Sequence, residues 1–161
     1  MKQSKTTQSS FDYLLMEIIN NRRKESETKE EAKEKIKRIG YEVGMKLTEN
    51  VNQKERLNKI GEILENVLKS PMCTPFFTFC KLVQSSDNKK FVIIVTLSDY
   101  LQHISSFGDE GQMNEMKEMY ISYAMGILYG TMEVRGYRLN IIPCLSKPNV
   151  DMCFELTINI L

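Results

Sequence analysis

The sequence has 161 residues, with 22 lysines and arginines against 21 aspartates and glutamates, giving a formal net charge of +1. That length suits one domain whose core folds without disulfide or metal staples. Near-neutrality excludes the whole-molecule field that draws a chain to nucleic acid or to an acidic membrane, so partners must be read by shape and local chemistry.

In chain order, positions 1–9 are polar and are expected to form a flexible tail, with a single domain over 10–161. The opening residues lack the apolar segment of a secretory signal, which points to a reducing, cytoplasmic setting. "FDYLLMEIINN" then places Phe11, Leu14, Leu15, Ile18 and Ile19 at i, i+3, i+4, i+7 and i+8, an amphipathic helical stripe. The charges of "NRRKESETKEEAKEKIKR" alternate in sign at helical spacing, the habit of a solvated helix face. The alternative is a basic docking patch at Arg22, Arg23 and Lys24.

Thr28 with Glu31 three residues on reads as a capping box opening a second helix. Ala32, Ile36, Ile39, Val43, Leu47 and Val51 run down one side of it, with Gly40 and Gly44 four apart. A third helix is expected over about residues 53–69, its apolar face made by Leu57, Ile60, Leu64, Val67 and Leu68, and "SPMCTP" ends it.

The period then changes to two. "FFTFCKLV" and "KFVIIVTL" read as strands joined through "QSSDNK" into an antiparallel pair. "SDYLQHISSF" has the form of a short helix capped by Ser98. Met113, Met116, Tyr120, Ala124, Ile127 and Val134 mark a long helix ending before Gly136, and it carries a second glycine pair, Gly126 and Gly130. "YRLNIIPCL", with Pro143 near a strand end or edge, and "VDMCFELTINI" close the chain as a further pair. The last run alternates strictly: Val150, Met152, Phe154, Leu156, Ile158 and Ile160 on one side, polar groups and Cys153 on the other.

This order predicts an α+β domain, with three N-terminal helices and a long later helix on one face of a small, roughly four-stranded antiparallel sheet. Each glycine inside a helix costs about 1 kcal/mol against alanine. At i and i+4, Gly40 with Gly44 and Gly126 with Gly130 give flat stripes suited to close packing on the sheet or on a neighbouring helix. The apolar run over 121–134 is too short and too closely flanked by charge to span a bilayer, so its G-x-x-x-G pattern is not a transmembrane dimer motif.

No catalytic set emerges. His103 is the single histidine; Cys73, Cys80, Cys144 and Cys153 lack ligand spacing; no phosphate loop or nucleophile elbow occurs. Neither catalysis, a metal nor a cofactor is expected. Ten methionines beside seven tyrosines and seven phenylalanines fit either an adaptable ligand pocket or a methionine-filled core. Four strands span roughly 20 Å, room for two helices at ~10 Å each. One amphipathic helix is therefore surplus, and its apolar stripe calls for a second chain.

"IGYEVGMKLTEN" resembles the G-x-x-x-G-x-x-L-x-E segment in the second helix of the small subunits of the TRAPP vesicle-tethering complex, and "YAMGILYGTMEVRGY" resembles their later glycine-paired helix. "FDYLLMEII" and "MCFELTINI" are similar to the family's opening helix and closing strand. The resemblance implies a non-catalytic scaffold subunit that pairs with a homologous small subunit, as a homodimer or heterodimer, through its first two helices. The assembly joins other tethering-complex subunits, helps activate a Rab-type GTPase in ER-to-Golgi or Golgi transport, and meets membranes only peripherally. By position, the pairing surface would comprise Phe11, Leu14, Leu15, Ile18, Tyr41 and Leu47. One branch of the family has an acylated cysteine near the start of the third helix; positions 48–72 here contain none. The helix and strand order is also similar to that of vinyl-reductase-type sensor domains, the alternative with a bound small ligand.

Overall fold

The computed structural model describes residues 3–48, 60–69, 77, 79–85, 89–97, 110–143 and 152–160. Among them are helices α1 (Gln3–Glu25), α2 (Lys29–Thr48), α3 (Ile60–Leu68) and α4 (Glu110–Glu133), and strands β1 (Phe79–Gln84), β2 (Lys90–Leu97), β3 (Tyr137–Pro143) and β4 (Met152–Ile160). The expected helix at "SDYLQHISSF", with His103, lies outside the described residues, as do residues 53–59 of the expected third helix.

Local chemistry sets the helix ends. Thr28 Oγ1 accepts the Glu31 N–H at 3.2 Å, and the Glu31 carboxylate reaches back to the Glu27 N–H at 3.2 Å, so two otherwise orphaned donors at the start of α2 are satisfied. α4 closes through bonds from Arg135 N to Met132 O and Gly136 N to Glu133 O, and Gly136 takes φ 89°, a left-handed turn that glycine enters without strain. α1 begins at Gln3, upstream of the apolar turns. Once the apolar turns from Phe11 onward are nucleated, adding a residue to a helix is nearly free, and Gln, Lys and Ser do not stop it.

The four strands form one antiparallel sheet in the order β1-β2-β4-β3. The two hairpins thus meet through their later strands, and β3, ending in Pro143, is an edge, where a missing N–H does no harm. Phe91, Ile93 and Val95 of β2, Phe154, Leu156 and Ile158 of β4, and Leu139 and Ile141 of β3 are buried on the helix-facing side. They form one continuous core with Ile63, Leu64, Val67 and Leu68 of α3 and with the inner faces of the other helices. Methionine serves this core, with Met119 and Met132 almost wholly buried.

Candidate partner interface

The centre of the helical layer is the meeting of α2 with α4. A methyl group built on Gly40 would run into the Tyr123 carbonyl oxygen and stand 3.2 Å from Ile127 N; on Gly44, it would meet the Ile127 carbonyl oxygen, 3.0 Å from Thr131 N. From the other side, one on Gly126 would strike the Lys37 carbonyl oxygen, 2.8 Å from Tyr41 N, and one on Gly130 the Tyr41 carbonyl oxygen, 2.9 Å from Met45 N. Each glycine pair therefore seats the backbone of the other helix. Since contacts advance along both helices together, α2 and α4 run parallel, and no side chain separates them at the crossing. Removing those side chains brings the axes nearer than the usual 8–10 Å, and the layer is narrower than two ordinary helices.

That narrowing bears on the surplus helix. α1 is not left outside, because Leu15 and Ile19 are buried in the chain's own core, 3% and 1% exposed, with Met16 packed beside them. Its end is tied down by ion pairs from Arg23 to Glu115, and the start of α2 by Lys29 and Lys33, which share Glu118. Burial pushes the Glu118 carboxyl up, but hydrogen bonds from Lys29 and Lys33 outweigh it and hold the group below the usual carboxylate range. The hydrogen bond to Glu118 also raises the Lys29 ammonium.

The six residues assigned by resemblance to pairing divide sharply. Leu14 is 57% exposed and Ile18 half-buried, one turn apart on the same side of α1, whereas Leu15 has no surface left to offer a partner. Phe11 and Leu47 lie on α1 and α2, but their side chains fall outside the described residues. Tyr41 is half-buried beside an open groove of about 550 Å³, lined by Glu34, Lys37, Arg38, Gly126, Tyr129 and Glu133 among others. Burial, then the charge of Glu133 and a hydrogen bond to it, raise the Tyr41 phenol.

Apart from Gly126, the rest of that groove is built by residues that the sequence pattern did not single out. Lys37 Nζ stands 5.6 Å from the Tyr129 ring centroid, within cation–π range, and Tyr129 Oη accepts the Ile141 N–H of edge strand β3 at 3.1 Å. Glu34, Lys37, Arg38 and Tyr41 fall at i, i+3, i+4 and i+7, a helical face that spacing alone would reveal. That Tyr129 and Glu133 stand opposite them depends on the parallel pairing of α2 with α4. Among the described residues no His, Cys, Asp and Glu group could hold a metal. Cys80 is exposed and Cys153 buried, both as free thiols.

The family model for the transport protein particle (TRAPP) component matches residues 11–158. The chain belongs to that family. The match runs from the exposed stripe of α1 into the closing strand, so both glycine pairs lie inside it. No curated relative matches the sequence. Thirty-six solved chains do match. One is the crystal structure of a trafficking protein particle complex subunit 3 from Naegleria fowleri covalently bound to palmitic acid, with a TM-score of 0.68 at 16% identity over 96% of each chain. At that identity the likeness concerns the fold. As a TRAPP component, the chain is one of several subunits of a complex, and among its described residues no helix is long and apolar enough to cross a membrane.

Proposed function

We propose that the chain is a non-catalytic scaffold subunit of a TRAPP-type vesicle-tethering complex, pairing with a homologous small subunit through α1 and α2. In this reading it works in the cytoplasm, peripheral to ER or Golgi membranes, and contributes to Rab-type GTPase activation only within the assembled complex. The observation that carries the proposal is the division of α1. Leu15 and Ile19 are spent on the chain's own core, while Leu14 is left in water on a helix otherwise firmly tied down. A rigid, exposed leucine with half-buried Ile18 one turn away is the kind of anchor that a partner helix covers.

The palmitic acid of the Naegleria fowleri chain is a feature of that protein. With no cysteine at positions 48–72, this chain offers no thiol there for such a bond, so the scaffold role is proposed without an acyl group.

Sedimentation of the tagged chain recovered from its own cells tests the pairing. The wild type is expected to travel with a second small subunit, and Leu14→Asp to travel alone with an unchanged helical circular dichroism spectrum. A Leu14→Asp chain that keeps its companion would refute the α1 surface.

A further inference from the structure

The outer face of the sheet carries a patch that neither the core nor the α1 surface explains. Residues opposite one another across strands share a face, so the register fixes the patch once Phe91, Ile93 and Val95 are known to turn inward. One outward row runs Val83, Val92, Glu155, Ile142 across all four strands. The row beside it is Lys81, Ile94, Cys153; on the other side lie Lys90, Thr157, Asn140, and then Asn159 with Arg138. The edges of the patch are open, with Val83 40% and Ile142 53% exposed, whereas Val92 and Ile94 at its centre are half-buried and Cys153 is buried.

Two features show that this face is not built for water alone. An antiparallel sheet with one wet face alternates apolar with polar residues, as β4 mostly does, yet β2 reads Phe91, Val92, Ile93, Ile94, Val95 without a polar residue, the habit of a strand covered on both sides. The charges are also lopsided. Lys81, Lys90 and Arg138 are exposed and make no ion pair among the described residues, and Glu155 is the one carboxylate among the described positions of the face.

We propose that this face is a second docking surface, distinct from α1 and α2, which takes a net-acidic amphipathic helix of a partner protein. Four strands at ~4.8 Å spacing make the row from Val83 to Ile142, apolar except for Glu155, about 14 Å across, matching one helix of ~10 Å diameter. A helix laid on a sheet is the ordinary way to cover such a layer. Acidic flanks on the helix meet Lys81, Lys90 and Arg138. A donor such as Lys, Arg or Asn near its middle meets Glu155, which would otherwise lose its hydration for nothing. A bilayer fits less well, because Val83 and Ile142 are short and β-branched, with no long apolar side chain to insert.

The test uses the full chain recovered in its complex from its own cells, with a photo-crosslinking residue at position 83 or, in parallel, at 142. The expected product is a crosslink to another protein, at a segment rich in Asp and Glu with apolar residues at helical spacing. Lys81→Glu with Lys90→Glu is expected to lower its yield about tenfold while circular dichroism stays unchanged. A crosslink to lipid, to a second copy, to the chain's own residues or to a basic segment would overturn the proposal. So would the absence of any crosslink at both positions, or a yield unmoved by the double charge reversal. Leu14→Asp, run alongside, reports on the α1 pairing separately, so the failure of one surface is not mistaken for failure of the other.

Discussion

The two sides of this molecule treat charge and grease in opposite ways. Over the helical layer most apolar stripes are consumed inside the chain, and most of the cations near the α1–α2–α4 contacts are matched, although Lys24, Lys46 and Lys117 make no ion pair among the described residues. Arg23 meets Glu115, Lys29 and Lys33 share Glu118, and Lys35, Lys37 and Arg38 each have a glutamate three or four residues away. On the outer sheet face, Val83 and Ile142 stand in water and Lys81, Lys90 and Arg138 have no carboxylate partner among the described residues. A self-satisfied layer is a structural unit, whereas a layer with unmatched apolar and charged groups is a surface awaiting something. On the helical side Leu14 is the most exposed large apolar residue among the described ones, at 57% against 36% for Met45 of α2, and for that reason it marks the proposed pairing face.

The contrast breaks first at the glycine crossing. Gly126→Ala would force a methyl group into the Lys37 backbone, which no side-chain rotation relieves. Overpacking of this kind costs about 1–3 kcal/mol and more where backbone must move, and urea unfolding is expected to show a loss at the upper end of that range. Gly61→Ala is the control, since its nearest neighbour is the flexible Gln84 side chain at 3.3 Å, and the same measurement is expected to change little. Leu15→Asp, expected to cost at least as much, pairs with Leu14→Asp. The first buries a lone charge in the core, at a cost of several kcal/mol, and is expected to abolish the cooperative transition; the second leaves that transition in place.

Glu118→Gln sharpens the electrostatic half of the comparison. The Glu118 carboxyl is held below its ordinary value of 4.5, so its contribution is present above that value and fades as pH falls through the lowered folded value. The group is partly exposed, which limits its contribution to less than about 1 kcal/mol. The gap in stability between wild type and Glu118→Gln is therefore expected to be small at neutral pH, to shrink with added salt, and to close in acid. The least effect on stability belongs to Ile142→Thr on the outer face, expected within about 0.5 kcal/mol of wild type in the same unfolding experiment.

Much of the fold was legible because it depends on neighbours in sequence. The alternation from Phe154 to Ile158 predicts a strand with one covered face, and Thr28 with Glu31 predicts where α2 begins; both rest on chemistry within a few residues. The stripe of α1 was legible only as a stripe. Leu14 and Leu15 are adjacent, about 100° apart around a helix, and both belong to the apolar side. Which of them faced the core was set by the rotation of α1 against α2 and α4, a quantity that helical spacing does not contain.

The sequence by itself determined that glycines four apart on two helices demanded a close neighbour, because a missing side chain inside a helix has a cost wherever the helix sits. Only the tertiary structure decided that each pair answers the other, in parallel and across some eighty intervening positions by the pairing of Gly40 and Gly44 with Tyr123 and Ile127. Periodicity records which face of an element is apolar, but the partner that covers it is chosen by how the whole layer packs.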